Sequence, residues 1–403
     1  MRPMGDSRRV LVLVVLLSGP TAIVRGACRP EDIAALWQLY ELTDGASWKH
    51  NANWSPDGDP CATASRWVGI GTVDPCKRWY DGPDCAFGRI TSVSLDDFGL
   101  SGNLSGWTRA GALQNLSYID LSHNRIGGTL PTELGEINNL RTLTMSHNRL
   151  EGTVPTELGL LNAPAIYEEL HELRLSHNAL SGTLPASLGS HSGLAALDVS
   201  HNFLGGELPS SLLGGLTSLE VLYLHDNPQL GGALPSSLGE LATLRYLDVS
   251  RCALSGTLPP ALGQLQLLTS LSLEGSGLLS GTLPPSIGDL GLLRALRLAD
   301  NRLSGSLPNA LGKLRSLETL DLYNNSLTGD VNPSIGNLAN LKYMYLDNHH
   351  LLPLRKRYCG QRLPNLGKYS YRIVREECAA SPPPGLEPVN ACALCARPRA
   401  STL

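Results

Sequence analysis

Four histidines, His123, His147, His177 and His201, stand in the same tripeptide, Ser-His-Asn, at steps of 24, 30 and 24 residues. Imidazoles brought side by side by such a period could share a cation, or repel one another when protonated near pH 6. Aspartates recur in register with them at Asp120, Asp198, Asp248 and Asp321. The second half of the chain adds Tyr223, His225, Tyr246, Tyr323, Tyr343 and Tyr345, with Arg174, Arg251 and Arg297 spaced among the repeats. Tyrosine supplies contact area at low entropic cost, and the arginine fork suits anions. None of these residues falls into a nucleophile elbow, a phosphate loop, a Ser-His-Asp set or a kinase signature, so catalysis is not expected. The formal net charge is −4, and no basic stripe advertises a nucleic-acid partner.

The elements that must position these residues repeat. Leu116 to Ile126 and Leu140 to Leu150 share the pattern L-x-x-L-x-L-x-x-N-x-L. Its polar position falls at Asn124, Asn148, Asn178, Asn202, Asn227, Cys252, Ser276, Asn301, Asn325 and His349, with Phe98 in a weaker leading copy. The alternation predicts a short strand in each unit, with Ile119 and Leu121 inward and Tyr118, Asp120 and Ser122 on an open wall. Asn124 and its equivalents end the strand at a tight turn, where an amide can both donate and accept from unit to unit. Ser276 and His349 fit that role less well. Equivalent wall residues should then stack about 4.8 Å apart in columns. One column runs through Asp120, Arg174, Asp198, Tyr223, Asp248, Arg297, Asp321 and Tyr345, and a third through the four histidines to Asn324. After each strand, Gly128-Thr129-Leu130-Pro131-Thr132-Glu133-Leu134-Gly135 and its relatives predict one 3₁₀-like turn, opened by proline and stopped by glycine.

This period and pattern define the leucine-rich repeat, and residues 89–351 hold about eleven units of it. The chain resembles the plant-type extracellular leucine-rich-repeat proteins, which include receptor-like kinase ectodomains, receptor-like proteins and polygalacturonase inhibitors. The resemblance rests on Gly-x-Leu-Pro-x-x-Leu-Gly in nearly every unit and on motifs before the array. These are Ala35-Leu36-x-x-Leu39-Tyr40, Gly45-x-x-Trp48, Asn53-Trp54, Cys61, Trp67-Val68-Gly69-Ile70 and Arg89-Ile90-Thr91. The family places a cysteine close behind the Trp-x-Gly motif, whereas Cys76 and Cys85 lie further on here. Ser-His-Asn is a favoured strand ending in that family, and duplicated units copy their residues. The histidine column is therefore read as a spelling of the repeat and the chain as holding neither metal nor cofactor.

The expected architecture is a single α/β right-handed solenoid, a curved parallel sheet with short 3₁₀ or helical turns on its outer side. Residues 1–27 read as a secretory signal, with Arg8 and Arg9 before the apolar run Val10 to Leu17; an uncleaved anchor over Val10 to Val24 is the competing reading. Residues 28–88 read as a tryptophan-rich cap, and 352–403 as a closing cap followed by a proline-rich tail. Cys28, Cys61, Cys76 and Cys85 precede the array, and Cys359, Cys378, Cys392 and Cys395 follow it, in keeping with disulfides in an oxidising compartment. Each set of four allows three pairings, and the sequence does not choose among them. Pro30-Glu31-Asp32 should open a helix that Gly45 closes. An insertion over 162–169 accounts for the single 30-residue step. Asn53, Asn103, Asn115 and Asn324 stand in glycosylation sequons, and a glycan on Asn324 would shade the wall.

The predicted function is extracellular recognition of a protein, peptide or glycan by the wall, secreted or at the cell surface. The resemblance suggests a receptor-like role with a membrane co-receptor. An inhibitor of a secreted wall-degrading hydrolase, and a structural or adhesive surface protein, are the alternatives.

Overall fold

The computed structural model describes residues 27–55, 57–61, 67–73, 87–161, 170–331, 333–346 and 350–352. The signal segment, Trp79, Cys76, Cys85, the insertion over 162–169, His349 and the tail with Cys359, Cys378, Cys392 and Cys395 lie outside them.

The inward aliphatic column forms as expected. Strands of three residues, such as Tyr118–Asp120, Thr142–Thr144 and Glu172–Arg174, pair in parallel from one unit to the next. Ile119, Leu143, Leu173, Leu197, Leu222, Leu247, Leu271, Leu296, Leu320 and Met344 stand in unbroken register and are buried. Because side chains alternate along a strand, this register places Tyr118, Asp120 and their equivalents together on the opposite face. The same sheet begins with Ala27–Cys28 beside Phe87–Ser94, which also pairs antiparallel with Ile70–Val73 of the cap.

A second parallel sheet, which the sequence reading did not anticipate, runs along the array. Its 11 strands include Arg125–Thr129, Arg149–Thr153, Ala253–Thr257 and Leu278–Thr282. Each unit thus crosses two sheets before reaching its turn. The turns are 3₁₀, as at Thr132–Glu136 and Thr156–Leu160, except for one short α-helix at Ser210–Gly215. Pro131 sits just before its turn in an extended conformation, so it caps the turn. The glycine inside the turn serves a purpose other than stopping it. A Cβ on Gly135 would meet the backbone oxygen of Glu157 at 2.3 Å, so hydrogen there is what lets adjacent turns approach.

The asparagines join the units. Asn124 Nδ2 donates to Leu121 and Ser122 of its own unit and to Leu95 of the unit before, while its Oδ1 accepts from the Leu100 amide. Asn148, Asn178, Asn202, Asn227 and Asn325 repeat the arrangement. Cys252 keeps weaker thiol contacts, to the Leu224 carbonyl of the unit before at 3.4 Å and to the Ser250 carbonyl of its own unit at 3.6 Å. Ser276 reaches the Leu273 carbonyl of its own unit and no carbonyl of the unit before. Downstream of it, Asn301 Oδ1 is buried without a partner. The ladder therefore breaks at the position the sequence marked as a poor fit.

The first cap is the expected aromatic lid. Helix α1, Pro30–Leu42, carries acids in its first turn, and buries Ala35, Leu36 and Leu39. It ends at Leu42. Thr43 caps it, and Asp44, not Gly45, takes the left-handed conformation at φ 56°. Trp48, Trp54, Trp67 and Trp107 are buried. Trp54 stacks on Trp67 with centroids 4.4 Å apart, and the Trp107 indole donates to the Ala35 carbonyl. Cys28 pairs with Cys61, which selects one bond of the three connectivities left open. Among the described residues no helix is long and apolar enough to cross a membrane.

Asn227 is fully buried, and its amide serves three carbonyls and one amide. Asn227→Ala is expected to cost about 2–4 kcal/mol in chemical denaturation, because buried backbone groups lose their partners. Ser276→Asn is expected to gain about 1 kcal/mol in the same measurement by restoring the missing rung.

Candidate functional site

The sheet register sorts the predicted wall residues into neighbours. Tyr246 and Tyr343 share a column with Tyr118, while Arg174, Tyr223, Arg297 and Tyr345 share the next. Tyr246 and Tyr343 are exposed, and Tyr223, His225, Arg297, Tyr323 and Tyr345 are half-buried. They form two groups. Tyr223, His225 and Tyr246 lie on adjacent strands, and Tyr323, Tyr343 and Tyr345 lie at the end of the array. Three strand steps separate Tyr246 from Thr319, which leads into Tyr323, roughly 14 Å along the sheet.

Between the groups, Tyr246, Thr269, Ser270, Arg294, Ala295 and Arg297 line a shallow hollow. Small side chains at Ser270 and Ala295 follow Tyr246 in its column, so its ring stands over a step in the wall. The arginines differ in availability. Arg174 pairs with Glu172 of its own strand, and Arg251 Nε binds Asp226 Oδ1 at 2.8 Å. Arg297 makes no ion pair among the described residues. Burial, and then the nearby Tyr246, Asp248 and Asp198, raise the Tyr223 phenol above its ordinary range, so it stays protonated and able to donate at neutral pH.

The histidines stack as a continuous column. Ring centroids lie 4.6 Å apart from His123 to His147, 4.1 Å from His147 to His177 and 3.9 Å from His177 to His201, with planes within 16° of parallel. The column is not part of the strand. His123, His147, His177 and His201 occupy the left-handed region, as do Asp97, Asp226, Arg251, Asp300 and Asn324. That conformation favours Asn, Asp, His and Gly among all residues, which explains much of the column's spelling. His147 and His177 are held below their ordinary value of 6.5, first by burial and then by the neighbouring imidazoles. The column ends at Asp226, whose Oδ2 lies 2.8 Å from His225 Nδ1 and 3.5 Å from His201 Nε2. Sequence reasoning missed Asp226; its alignment with the histidines in the third column was the available signal.

All four sequon asparagines are exposed. Asn103 accepts from the Ser105 amide, and Asn324 donates to Asp300.

Two parallel sheets joined by a buried asparagine ladder define the leucine-rich-repeat class. Residues 213–368 match the family described as a leucine-rich repeat region, and 115–137, 139–161 and 169–191 match the leucine-rich repeat itself, together more than half of the chain. The chain belongs to the leucine-rich-repeat family, of the type seen in plant receptor ectodomains. It is 28% identical to a solved plant peptide hormone receptor, RGFR1 in complex with RGF2, over 65% of this chain and 44% of that one, with a TM-score of 0.55. A solved TDR receptor is 29% identical over 65% of this chain and 48% of its own, with a TM-score of 0.54. A plant ice-binding protein is 25% identical over 81% of this chain and 97% of its own, with a TM-score of 0.61. MDIS1-interacting receptor like kinase 2 of Arabidopsis thaliana is 36% identical over 66 residues, 16% of this chain and 6% of that protein. The chain thus spans under half the length of the two receptors and a small part of the kinase.

A histidine whose folded value is depressed stabilises the fold above its unfolded value and loses that contribution as pH falls through its folded one. The melting temperature is therefore expected to fall as pH drops below 6.5, the ordinary value of His147 and His177. The double change His147→Asn and His177→Asn should flatten that slope, because asparagine tolerates the same backbone conformation.

Proposed function

We propose that this chain is a secreted recognition protein that binds an extracellular peptide or protein on the open wall of its first sheet, without catalysis. The observation that carries the reading is the hollow between Tyr246 and Arg297, an exposed aromatic ring and a guanidinium with no ion pair among the described residues, flanking small side chains on an otherwise serine-rich wall. An extended peptide could lay apolar side chains against Tyr223 and Tyr246 and a carboxylate on Arg297. The likeness to RGFR1, a plant peptide hormone receptor solved in complex with RGF2, supports this use of the scaffold. A glycan ligand and a membrane co-receptor are finer parts of the proposal. Hydrolase inhibition would use the same wall and would show as loss of a wall-degrading activity in a direct assay.

A photo-crosslinking residue at position 246, in protein secreted into its own medium, should capture a discrete peptide adduct read by mass spectrometry. The same residue at Glu136, on a turn away from the wall, should capture none. Tyr246→Ala and Arg297→Ala should each weaken binding of the captured peptide by about tenfold, as centrally buried contacts do. Equal capture at both positions would reject the wall as the site.

A second reading rests on the second sheet and on the likeness to the ice-binding protein, which spans nearly all of that chain. Thr129, Thr153 and Thr183 stand exposed at equivalent positions on three successive units, and Thr257 and Thr282 on two more after Glu207 and Ala233 interrupt the row. Each threonine methyl sits close to where a Cβ would stand on the next unit's glycine, as Thr129 does at Gly152, which has φ +76°. Those glycines leave room for the threonine methyls, and within each run the threonines repeat at about the strand spacing. Binding to an ordered water lattice would appear as thermal hysteresis that Thr153→Asp and Thr257→Asp reduce, with peptide capture unchanged.

A further inference from the structure

The histidine column ends in a group that takes no part in the hollow beside Tyr246. One ring nitrogen each from His201 and His225 and an Asp226 carboxylate oxygen all lie within 4.8 Å of one another. The three residues come from two adjacent units and two columns, so neither column holds the whole group.

We propose that His201, His225 and Asp226 form a binding site for a divalent transition cation of the zinc type, open on its solvent side. Two imidazoles and one carboxylate are the donor set that suits zinc, at about 2.0–2.2 Å per ligand. Around a tetrahedral ion such ligands stand about 3.3 Å from one another. Here Asp226 Oδ2 lies 3.5 Å from His201 Nε2 and 2.8 Å from His225 Nδ1, and the ligand atoms of all three residues lie within 4.8 Å of one another, so side-chain shifts alone can close them on a shared ion. All three side chains are half-buried, which leaves the fourth position to water.

The surroundings fix the ligands as a coordination site requires. Arg251 binds Asp226 Oδ1 and leaves Oδ2 to the imidazoles, orienting the carboxylate from behind. His177 stacks on the His201 ring at 3.9 Å, and Tyr223 meets the His225 ring edge-on at 6.1 Å. Cation binding needs each imidazole to carry its proton on the far nitrogen, Nδ1 of His201 and Nε2 of His225. Where Nδ1 of His225 carries the proton toward Asp226, that N–H breaks, the proton exchanges through solvent, and an N–H forms at Nε2, so no net proton is lost. The charged or titratable groups around the site are Asp198, His177, Tyr223 and Arg251. Arg251 opposes a cation, while Asp226 and Asp198 favour one.

The test uses the full chain and zinc chloride alone. Histidine modification by diethylpyrocarbonate, read residue by residue in a mass spectrometer, should show zinc protecting His201 and His225 while His123 and His147 remain reactive. Asp226→Asn should lower zinc affinity by about tenfold or more in calorimetry. Asparagine suits the left-handed backbone there, and an unchanged melting curve without zinc would establish that the variant folds. His201→Asn, placing in the column the residue found at Asn324, is the second variant and should behave alike. Protection spread evenly along the stack, protection that survives both variants, or none at micromolar zinc would overturn the proposal.

Discussion

Every unit of this solenoid turns sharply at the end of its first strand, and that turn leaves buried carbonyls with no water to satisfy them. The asparagine at the turn solves the problem from inside. Its amide hydrogens reach carbonyls of two successive units, and its oxygen takes an amide of the unit before, as Asn202 does between Leu175 and Leu180. A buried polar group without partners costs more than a good hydrogen bond returns, so the residue type at this position is tightly constrained. The rest follows from it. Once turns are tied in register, the aliphatic column must stack, and the alternate side chains must line up on the wall.

The same register explains why the wall acts as a surface of columns and not of isolated residues. A side chain there meets its counterparts above and below at strand spacing, which is why four imidazoles become a stack and why the hollow beside Tyr246 runs along the sheet. Recognition on such a wall depends on which units carry large or charged side chains. Units with serine or alanine there act as spacers.

Much of this was legible in the sequence because it depends on a short period. The inward column, the 3₁₀ turns, the asparagine positions and the aromatic lid all repeat or cluster, and each has a local physical cause. The second sheet was not legible. Segments such as Arg125–Thr129 and Leu278–Thr282 alternate weakly and hold two or more residues of glycine, serine or threonine, so their pairing comes from the stacking of units and not from their own propensity. The left-handed turn residue was missed for a related reason. Its position looks like one more wall residue until the backbone is seen to reverse there. Asp226 could be placed beside His201 and His225 only once the two units were docked. The five predicted tyrosines all lie on the wall side with His225, but they divide into two groups that counting along the sequence does not separate.

The break in the ladder at Ser276 has a mechanical consequence. In a one-dimensional stack each joint bears the whole load passing along the array, so tolerance to tension is set by the weakest one. The joint between the Cys252 and Ser276 units keeps its strand pairing, its aliphatic packing and the hydroxyl bonds of Thr269, Ser280 and Ser286 to Arg245, Gly256 and Pro260, but loses the side-chain tie across the turn. Pulled from its two ends, the array lacks one internal tie at this joint, with the earlier units and the aromatic lid on one side and a shorter block on the other.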